Sequence, residues 1–176
     1  MPLTRLRRSL HQERERGRTF QPRFHGHHIL ASWLGGLLAI AALGVVSGWS
    51  GYGLMVAPFG ASTVLLFGHP SSPLAQPRNL LLGNGVAALL AVLCVHWLGS
   101  TPLAMGLAVG LAIAAGQQLR CLHPPAGAIA LLGVLLQARP IFVLLPVLLG
   151  SLLLLLCAVV FHRLTPATGS YPHHWL

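Results

Sequence analysis

An uninterrupted apolar stretch occupies residues 28–49, where about twenty-two residues include no Asp, Glu, Lys or Arg. A helix rises about 1.5 Å per residue, so this stretch can span the roughly 30 Å hydrocarbon core of a bilayer. Hydrophobic residues make up 55% of the 176-residue chain and charged residues only 7%. Such a composition excludes a water-soluble globular domain, because too few polar side chains are present to cover its surface. The sequence therefore predicts a membrane protein whose first crossing is residues 28–49.

Further apolar segments follow along the chain, and two of them are broken by prolines. Residues 51–68 contain Pro58, where we expect a short helix to begin. Residues 126–136 form an apolar stretch that is too short for a full helical crossing. The loop at 69–79 contains three prolines and must lie outside the bilayer or inside protein. The other predicted crossings are residues 80–99, 101–119 and 141–161.

The two broken segments share a motif, which indicates an internal repeat. Pro58–Ala61 and Pro125–Ala128 both read Pro-x-Gly-Ala before a short apolar helix. Each lies between two long segments, so the chain divides near Gly99 into halves of order long, broken, long. Because each half has an odd number of segments, the second is inverted. The predicted fold is all-α: two inverted repeats, about 28–99 and 101–163, with four full crossings and two short broken helices.

The placement of the arginines predicts the orientation. Most of them precede the first crossing, so residues 1–27 form a basic cytoplasmic tail, and residues 164–176 form a polar C-terminal tail. If both broken segments cross fully, Arg78, Arg120 and Arg163 share the cytoplasmic side. If both are re-entrant, Arg78 and Arg120 move outside. The positive-inside rule favours six crossings, with both termini in the cytoplasm of a bacterial inner membrane.

The starts of the two short helices are the predicted binding site. A helix that begins inside a membrane has unpaired N–H groups and the positive end of its dipole at its first turn. In an inverted repeat the two starts converge near the bilayer midplane, where small side chains let a small anion approach the amides. Alternatively, proline and glycine only kink two helices whose free groups bond to neighbouring helices. The predicted site residues are Pro58, Gly60, Ala61, Ser62, His123, Pro124, Pro125, Gly127 and Ala128.

Polar residues beside the second short helix are predicted to line the access path. Arg120, Gln117 and Gln118 can attract an anion from the cytoplasmic side. Asn84 lies inside a crossing and has a second interpretation, an interhelical hydrogen bond. If His123 titrates near neutral pH, it can couple anion entry to a proton. The complete predicted set for the pathway or its gate is Arg120, Gln117, Asn84, Arg78 and Asn79.

The missing side-chain types exclude several classes of function. The chain has no Lys or Asp, and its only acids are Glu13 and Glu15 in the N-terminal tail. A catalytic carboxylate pair and a carboxylate site for a transported cation are therefore excluded. The cysteines form no CxxC motif, and the terminal histidines lack a thiolate or carboxylate to complete a metal site. We expect no enzyme, metal, cofactor or nucleic-acid partner, and an intramembrane enzyme using His123 and Cys121 is the weakest alternative.

The stretch Leu122–Ala128, which contains His-Pro-Pro, resembles the HPP family of integral membrane proteins. Pro58–Ser62 and Ser72–Asn79 are similar to two other recurrent stretches of that family. Three motifs in this order are far more specific than His-Pro-Pro alone, and together they cover residues 30–162. The resemblance implies a membrane domain that is usually described with four helices. It also implies a link to nitrite, because plant chloroplast members are associated with nitrite transport.

The helix-dipole argument suggests the sign and size of a ligand, and the resemblance suggests its identity. We therefore expect a transporter or channel for a small inorganic anion, nitrite or nitrate, in a lipid bilayer. The alternative is a non-transporting scaffold or regulatory subunit whose arginine-rich tail docks anionic lipid or a cytoplasmic partner. Small residues spaced by four, at Gly44/Gly48 and Gly106/Gly110, mark faces where a second copy can pack into a homo-oligomer.

Overall fold

The computed structural model describes residues 3–20, 23–51, 53–165 and 170–175. Within these residues the protein is helical and contains no strand, which confirms the predicted all-α class. A basic helix, α1, precedes six apolar segments. The helices are α1 (Leu3–Phe20), α2 (Gly26–Ser50), α3 (Pro58–Gly68), α4 (Asn79–Leu98), α5 (Pro102–Gln118), α6 (Pro124–Leu135) and α7 (Val143–Leu164), with a 3₁₀ turn at Pro73–Ala75.

Proline marks the start of the three shorter apolar helices. Pro58, Pro102 and Pro124 each occupy the first turn, where the missing N–H costs no hydrogen bond and the fixed φ suits a helix. At the start of α5 the Thr101 side chain accepts the N–H of Ala104 at 3.2 Å. This cap satisfies one of the free N–H groups at the start of α5, and Gly99, with φ of 65°, lets the chain turn between α4 and α5.

The same backbone motif ends α5 and α6. Arg120 and Gln137 have φ values of 53° and 50°, in the left-handed region. In each case the N–H of the next residue bonds to the carbonyl five residues earlier: Cys121 N to Gly116 O at 2.8 Å, and Ala138 N to Gly133 O at 2.9 Å. These are Schellman turns, which satisfy the last carbonyls of a helix and redirect the chain sharply.

Contacts between segments establish their relative directions, beginning with α2 and α3. Met55, just before α3, lies beside Gly44 of α2. Phe67, at the far end of α3, lies beside Gly35, and its carbonyl accepts the Ser32 hydroxyl at 2.7 Å. The broken segment therefore runs antiparallel to α2 and returns toward the end where α2 begins.

The remaining segments continue this alternation of direction. The backbone after α5 returns to Gly83 near the start of α4, and α6 then runs parallel to α4 until Gly133 meets Ala91. Helix α7 runs back, so that His162 Nε2 bonds to the Leu66 carbonyl at 2.9 Å. The loop at 69–78, the α5–α6 joint and the end of α7 consequently lie at the same end of the bundle as the start of α2.

Three of the described helices, α2, α4 and α7, are long and apolar enough to cross a membrane unaided. Helix α5 has 17 residues, which at about 1.5 Å per residue makes it somewhat shorter than a hydrocarbon core. The sequence predicts it as the fourth long crossing. The count of crossings and the inverted repeat therefore stay predictions.

Small residues bring the helices together at the centre of the bundle. Buried alanines line the facing sides of α4, α5 and α6, and they allow close backbone approach in place of large side chains. At Gly133, a Cβ atom would lie 2.6 Å from Ala91 Cβ and 3.1 Å from Phe142 Cε1. The α4–α6 contact therefore depends on glycine at this position.

The two predicted tails contain ordered structure where the model describes them. Helix α1 lies within the predicted tail 1–27, and α2 begins at Gly26. In the predicted tail 164–176, the Tyr171 hydroxyl donates to the Ala75 carbonyl at 2.8 Å and its side chain is buried. The N–H of His173 donates to Gln76 Oε1 at 3.0 Å. The segment 170–175 therefore packs against the loop between α3 and α4.

Candidate functional site

His123 lies at the centre of the candidate site, immediately before α6, and only 2% of it is exposed. Its Nδ1 lies 2.9 Å from the Leu74 carbonyl oxygen, and its Nε2 lies 2.9 Å from Ser62 Oγ. A carbonyl can only accept, so Nδ1 carries the proton and donates it. In the neutral imidazole Nε2 then accepts the Ser62 hydroxyl. Both ring nitrogens therefore have partners, and the imidazole is held in one orientation.

These contacts join the three sequence motifs. Ser62 belongs to Pro58–Ser62, Leu74 to Ser72–Asn79, and His123 to Leu122–Ala128. The loop that presents the Leu74 carbonyl is itself fixed. Its turn is closed by the Ser72 hydroxyl, which accepts the Leu74 N–H at 3.2 Å, and by Gln76 Nε2, which donates to the Ser72 carbonyl at 2.8 Å. The motifs are thus far apart in sequence and adjacent in space.

Arg78 and Asn79 bind the backbone of the α5–α6 joint. One guanidinium N–H of Arg78 donates to the Leu119 carbonyl at 2.7 Å, and Asn79 Nδ2 donates to the Leu122 carbonyl at 2.7 Å. Both carbonyls lie just after the end of α5, so no N–H of that helix is available to bond to them. The two side chains therefore hold the segment that carries His123 against the start of α4.

A cavity of about 470 Å³ lies between α4, α5 and α6. The first turn of α6 lines it, so the positive end of that helix dipole lies on its wall. Small residues make room for it, and the only titratable groups that line it are His123 and Cys121. Predicted residues on its wall are His123, Pro124, Gly127 and Ala128; others are Gly83, Ala112 and Gly116.

The predicted residues of the first short helix do not line this cavity. Pro58 and Ser62 are buried elsewhere, while Gly60 and Ala61 are exposed. The Gly60 N–H donates to the Ala57 carbonyl at 3.0 Å, because the backbone is already helical at Ala57. Only the α6 start contributes to the cavity, and Ser62 contacts it indirectly, through His123.

The remaining predicted residues are found at two other places. Gln117 and Arg120 are exposed at the end of α5, next in sequence to the wall residues Gly116 and Cys121. Asn84 is buried and its Nδ2 donates to Ser151 Oγ at 3.0 Å, which is an interhelical hydrogen bond between α4 and α7. Pro125 is buried beside the wall residue Pro124. The access residues and Asn84 therefore do not form one cluster.

Sequence reasoning missed the glycines that make the cavity possible. A Cβ at Gly83 would lie 2.6 Å from the Cys121 carbonyl oxygen, and a Cβ at Gly116 would lie 3.2 Å from Leu122 Cδ1. Both positions let the His123 segment pass close to α4 and α5. The sequence shows only that these two residues are glycines. It does not show which residue each of them packs against, because that depends on how the segments fold together.

The model of the family described as HPP, transmembrane region, matches residues 21–172. Two transmembrane proteins of Dictyostelium discoideum are each 39% identical to this chain, over 130 and 129 residues. Each alignment covers 69% of this chain, and 45% and 41% of the respective relative. The chain thus spans less than half the length of these curated relatives. No solved structure matches it. The family match includes all three motifs that meet at His123, and the chain belongs to the HPP transmembrane family.

Proposed function

We propose that this protein is a transporter or channel for a small inorganic anion, with nitrite and nitrate as the leading candidates. The observation that carries the proposal is the cavity of about 470 Å³ at the first turn of α6, beside the fixed imidazole of His123. The identity of the ion rests on the family resemblance, because geometry supports only a small anion.

The electrostatics of the apolar segments favour an anion over a cation. The only acidic residues, Glu13 and Glu15, lie on α1, so no carboxylate in the six apolar segments repels an anion. The positive end of the α6 dipole stabilises a bound anion more strongly in an apolar cavity than in water, because the apolar surroundings screen the charge weakly. Gly127 and Ala128 leave room for an ion beside the first turn of α6. The Ala126 N–H of that turn is bonded to the His123 carbonyl at 2.9 Å, so the helix dipole attracts the ion in place of a free amide.

The proposed pathway enters from the end of the bundle where α2 begins. In this scheme all six apolar segments cross a bacterial inner membrane, and both termini lie in the cytoplasm. Arg78 and Arg120 then flank the cytoplasmic mouth, where their charge raises the local anion concentration. His123 acts at the inner end of this mouth, and Ser62 is a positioning residue that orients its ring.

Uptake into proteoliposomes tests the proposal, with nitrite, nitrate, chloride and formate compared in the wild type. Gly127→Leu is the blocking variant. Its nearest neighbour, Val109 Cγ1, would lie 4.0 Å from a Cβ, so the leucine can project into the cavity without displacing the backbone. We expect saturable uptake of one small anion that falls at least about tenfold in this variant, because the side chain fills the path.

Gly48→Leu is the matched control, since Gly48 is exposed on α2 and a Cβ there meets nothing within 4 Å. Uptake in this variant should equal that of the wild type. Equal uptake in both variants would rule out the cavity as the path, and absence of uptake of all four anions by folded protein would rule out the transport function.

A scaffold function is the second candidate, and one observation favours it. Helix α1 has 18 residues, is rich in arginine, and its described side chains are exposed, so it can bind an anionic surface. This candidate predicts that deletion of residues 1–23 abolishes function while Gly127→Leu is tolerated, the reverse of the transport prediction.

A further inference from the structure

A second pocket, of about 330 Å³, lies at the end of the bundle where α2 begins, and it shares no residue with the His123 cavity. It is formed by the chain just before α2, the first turns of α2, the residues that follow α3, and the C-terminal segment. Its polar lining comprises Arg23, His25, His28, Ser32, His69, Ser71 and His173.

The pocket gathers hydrogen-bond donors and no acid. One arginine and four histidines from three separate parts of the chain line it, together with two serines. The chain's two acids both lie on α1, where Glu13 pairs with Arg16 at 3.1 Å and Glu15 with His11 at 3.4 Å. A concave site lined by arginine and imidazole groups, without a carboxylate, is suited to an oxyanion.

Hydrogen bonds to the neighbouring elements fix the walls of this pocket. The Ser32 hydroxyl donates to the Phe67 carbonyl and ties α2 to the end of α3. The His173 N–H donates to Gln76 Oε1, which holds the C-terminal wall in place. The donors are therefore presented by a folded framework, although their side chains are accessible from the surface.

Exposed apolar side chains lie near the pocket residues along the start of α2. Phe24 lines the pocket and is exposed, and Ile29, Leu30 and Trp33 are exposed on the first two turns of the helix. Because α2 is a candidate membrane span, these side chains at its start face the interface between headgroups and acyl chains. An anionic group bound here can therefore carry acyl chains that lie against α2.

We propose that this pocket binds a phosphate monoester group. Four oxygens and a double negative charge can engage several of these donors at once, which a nitrite-sized ion cannot. The phosphate can belong to a lipid headgroup or be free in solution. The inference concerns a site separate from the His123 cavity and does not depend on transport through it.

Binding is measured on the full chain, purified in neutral detergent, by native mass spectrometry and by ligand-dependent thermal shift. The probes are dioleoyl phosphatidic acid, inorganic phosphate and dioleoyl phosphatidylcholine, which has the same acyl chains without a monoester. We expect phosphatidic acid to bind with a stoichiometry of one and phosphatidylcholine not to compete. In the double variant Arg23→Gln/His69→Gln, affinity should fall at least about tenfold, since each lost charge-assisted bond alone costs about that factor.

The matched control is Arg139→Gln/His96→Gln, which removes the same two side-chain types from exposed positions outside the pocket. Its affinity should equal that of the wild type. All three proteins should unfold at the same temperature without ligand.

The comparison of the two ligands identifies the source of the phosphate. Equal affinity for phosphate and phosphatidic acid would identify a free phosphate as the natural source, and tighter binding of the lipid would identify a headgroup; both support the site. Unchanged affinity in the pocket variant, or equal loss in the control, would overturn it.

Discussion

His123 is the residue on which the candidate site depends, because it lies in one motif and its side chain bonds to residues of the other two. Its Nδ1–H donates to the Leu74 carbonyl, and its Nε2 accepts a hydrogen bond from the Ser62 hydroxyl. A buried imidazole with both nitrogens bonded has one orientation and one tautomer. Each of its partners therefore controls the shape of the cavity wall without lining it.

Ser62→Ala tests this dependence at the level of one hydroxyl group. The variant leaves the buried His123 Nε2 without a partner, which should lower the free energy of unfolding by about 1–3 kcal/mol. Anion uptake should fall as well, because the imidazole is no longer held. Stability is measured by denaturant unfolding in detergent, and uptake in proteoliposomes.

Thr63→Val is the matched control for Ser62→Ala. It removes a hydroxyl from the next residue, where Oγ1 bonds to the Phe59 carbonyl within the same helix. No acceptor on another segment loses its donor, so we expect a change below about 1 kcal/mol and unaltered uptake. Equal effects of the two substitutions would contradict the role given to the Ser62–His123 bond.

At the scale of elements, glycine and alanine decide how closely the helices pack. The α4–α6 contact shows this at one position, where Gly133 lies against Ala91 and Phe142. Without a strong hydrophobic drive between helices in lipid, such close packing is a main source of association. A single methyl group at this contact must separate the helices or displace the ring.

Gly133→Ala should therefore lower stability by about 1–3 kcal/mol, because the new Cβ overlaps Ala91 Cβ. Gly106→Ala, on α5, should raise stability by about 0.5–1 kcal/mol, since a Cβ there meets nothing within 4 Å and alanine is the better helix former. The unfolding midpoints of the two variants, compared with wild type in the same detergent, should move in opposite directions. A shift of both in the same direction would contradict this packing.

At the scale of the molecule, the alternation of segment directions sets which loops share a side. The loop at 69–78 and the α5–α6 joint lie at the end where α2 begins, and the turn at 99–101 lies at the other end. Arg78 and Arg120 are thus on the same side as the N-terminal arginines. That distribution matches the positive-inside rule for six crossings.

Cysteine labelling in vesicles of known orientation measures this arrangement. In a Cys157→Ser background, where the other two cysteines are buried, an impermeant maleimide should reach Ser71→Cys only from the side of the N-terminal tail. It should reach Ser100→Cys only from the opposite side. Four crossings with two re-entrant segments predict the reverse for both positions, so the labelling pattern distinguishes the two topologies.

Much of the architecture follows from local sequence. Apolar length predicted the segments, and Pro58 predicted where the first short helix begins, because proline acts on its own backbone. The second short helix begins at Pro124, one residue before the expected Pro125. Membership of a helical membrane family followed from three local motifs. In contrast, the meeting of Ser62, Leu74 and His123 depends on segments up to 61 residues apart. No local pattern encodes that contact, and whether a helix start faces a cavity or a neighbouring carbonyl depends on how the bundle packs.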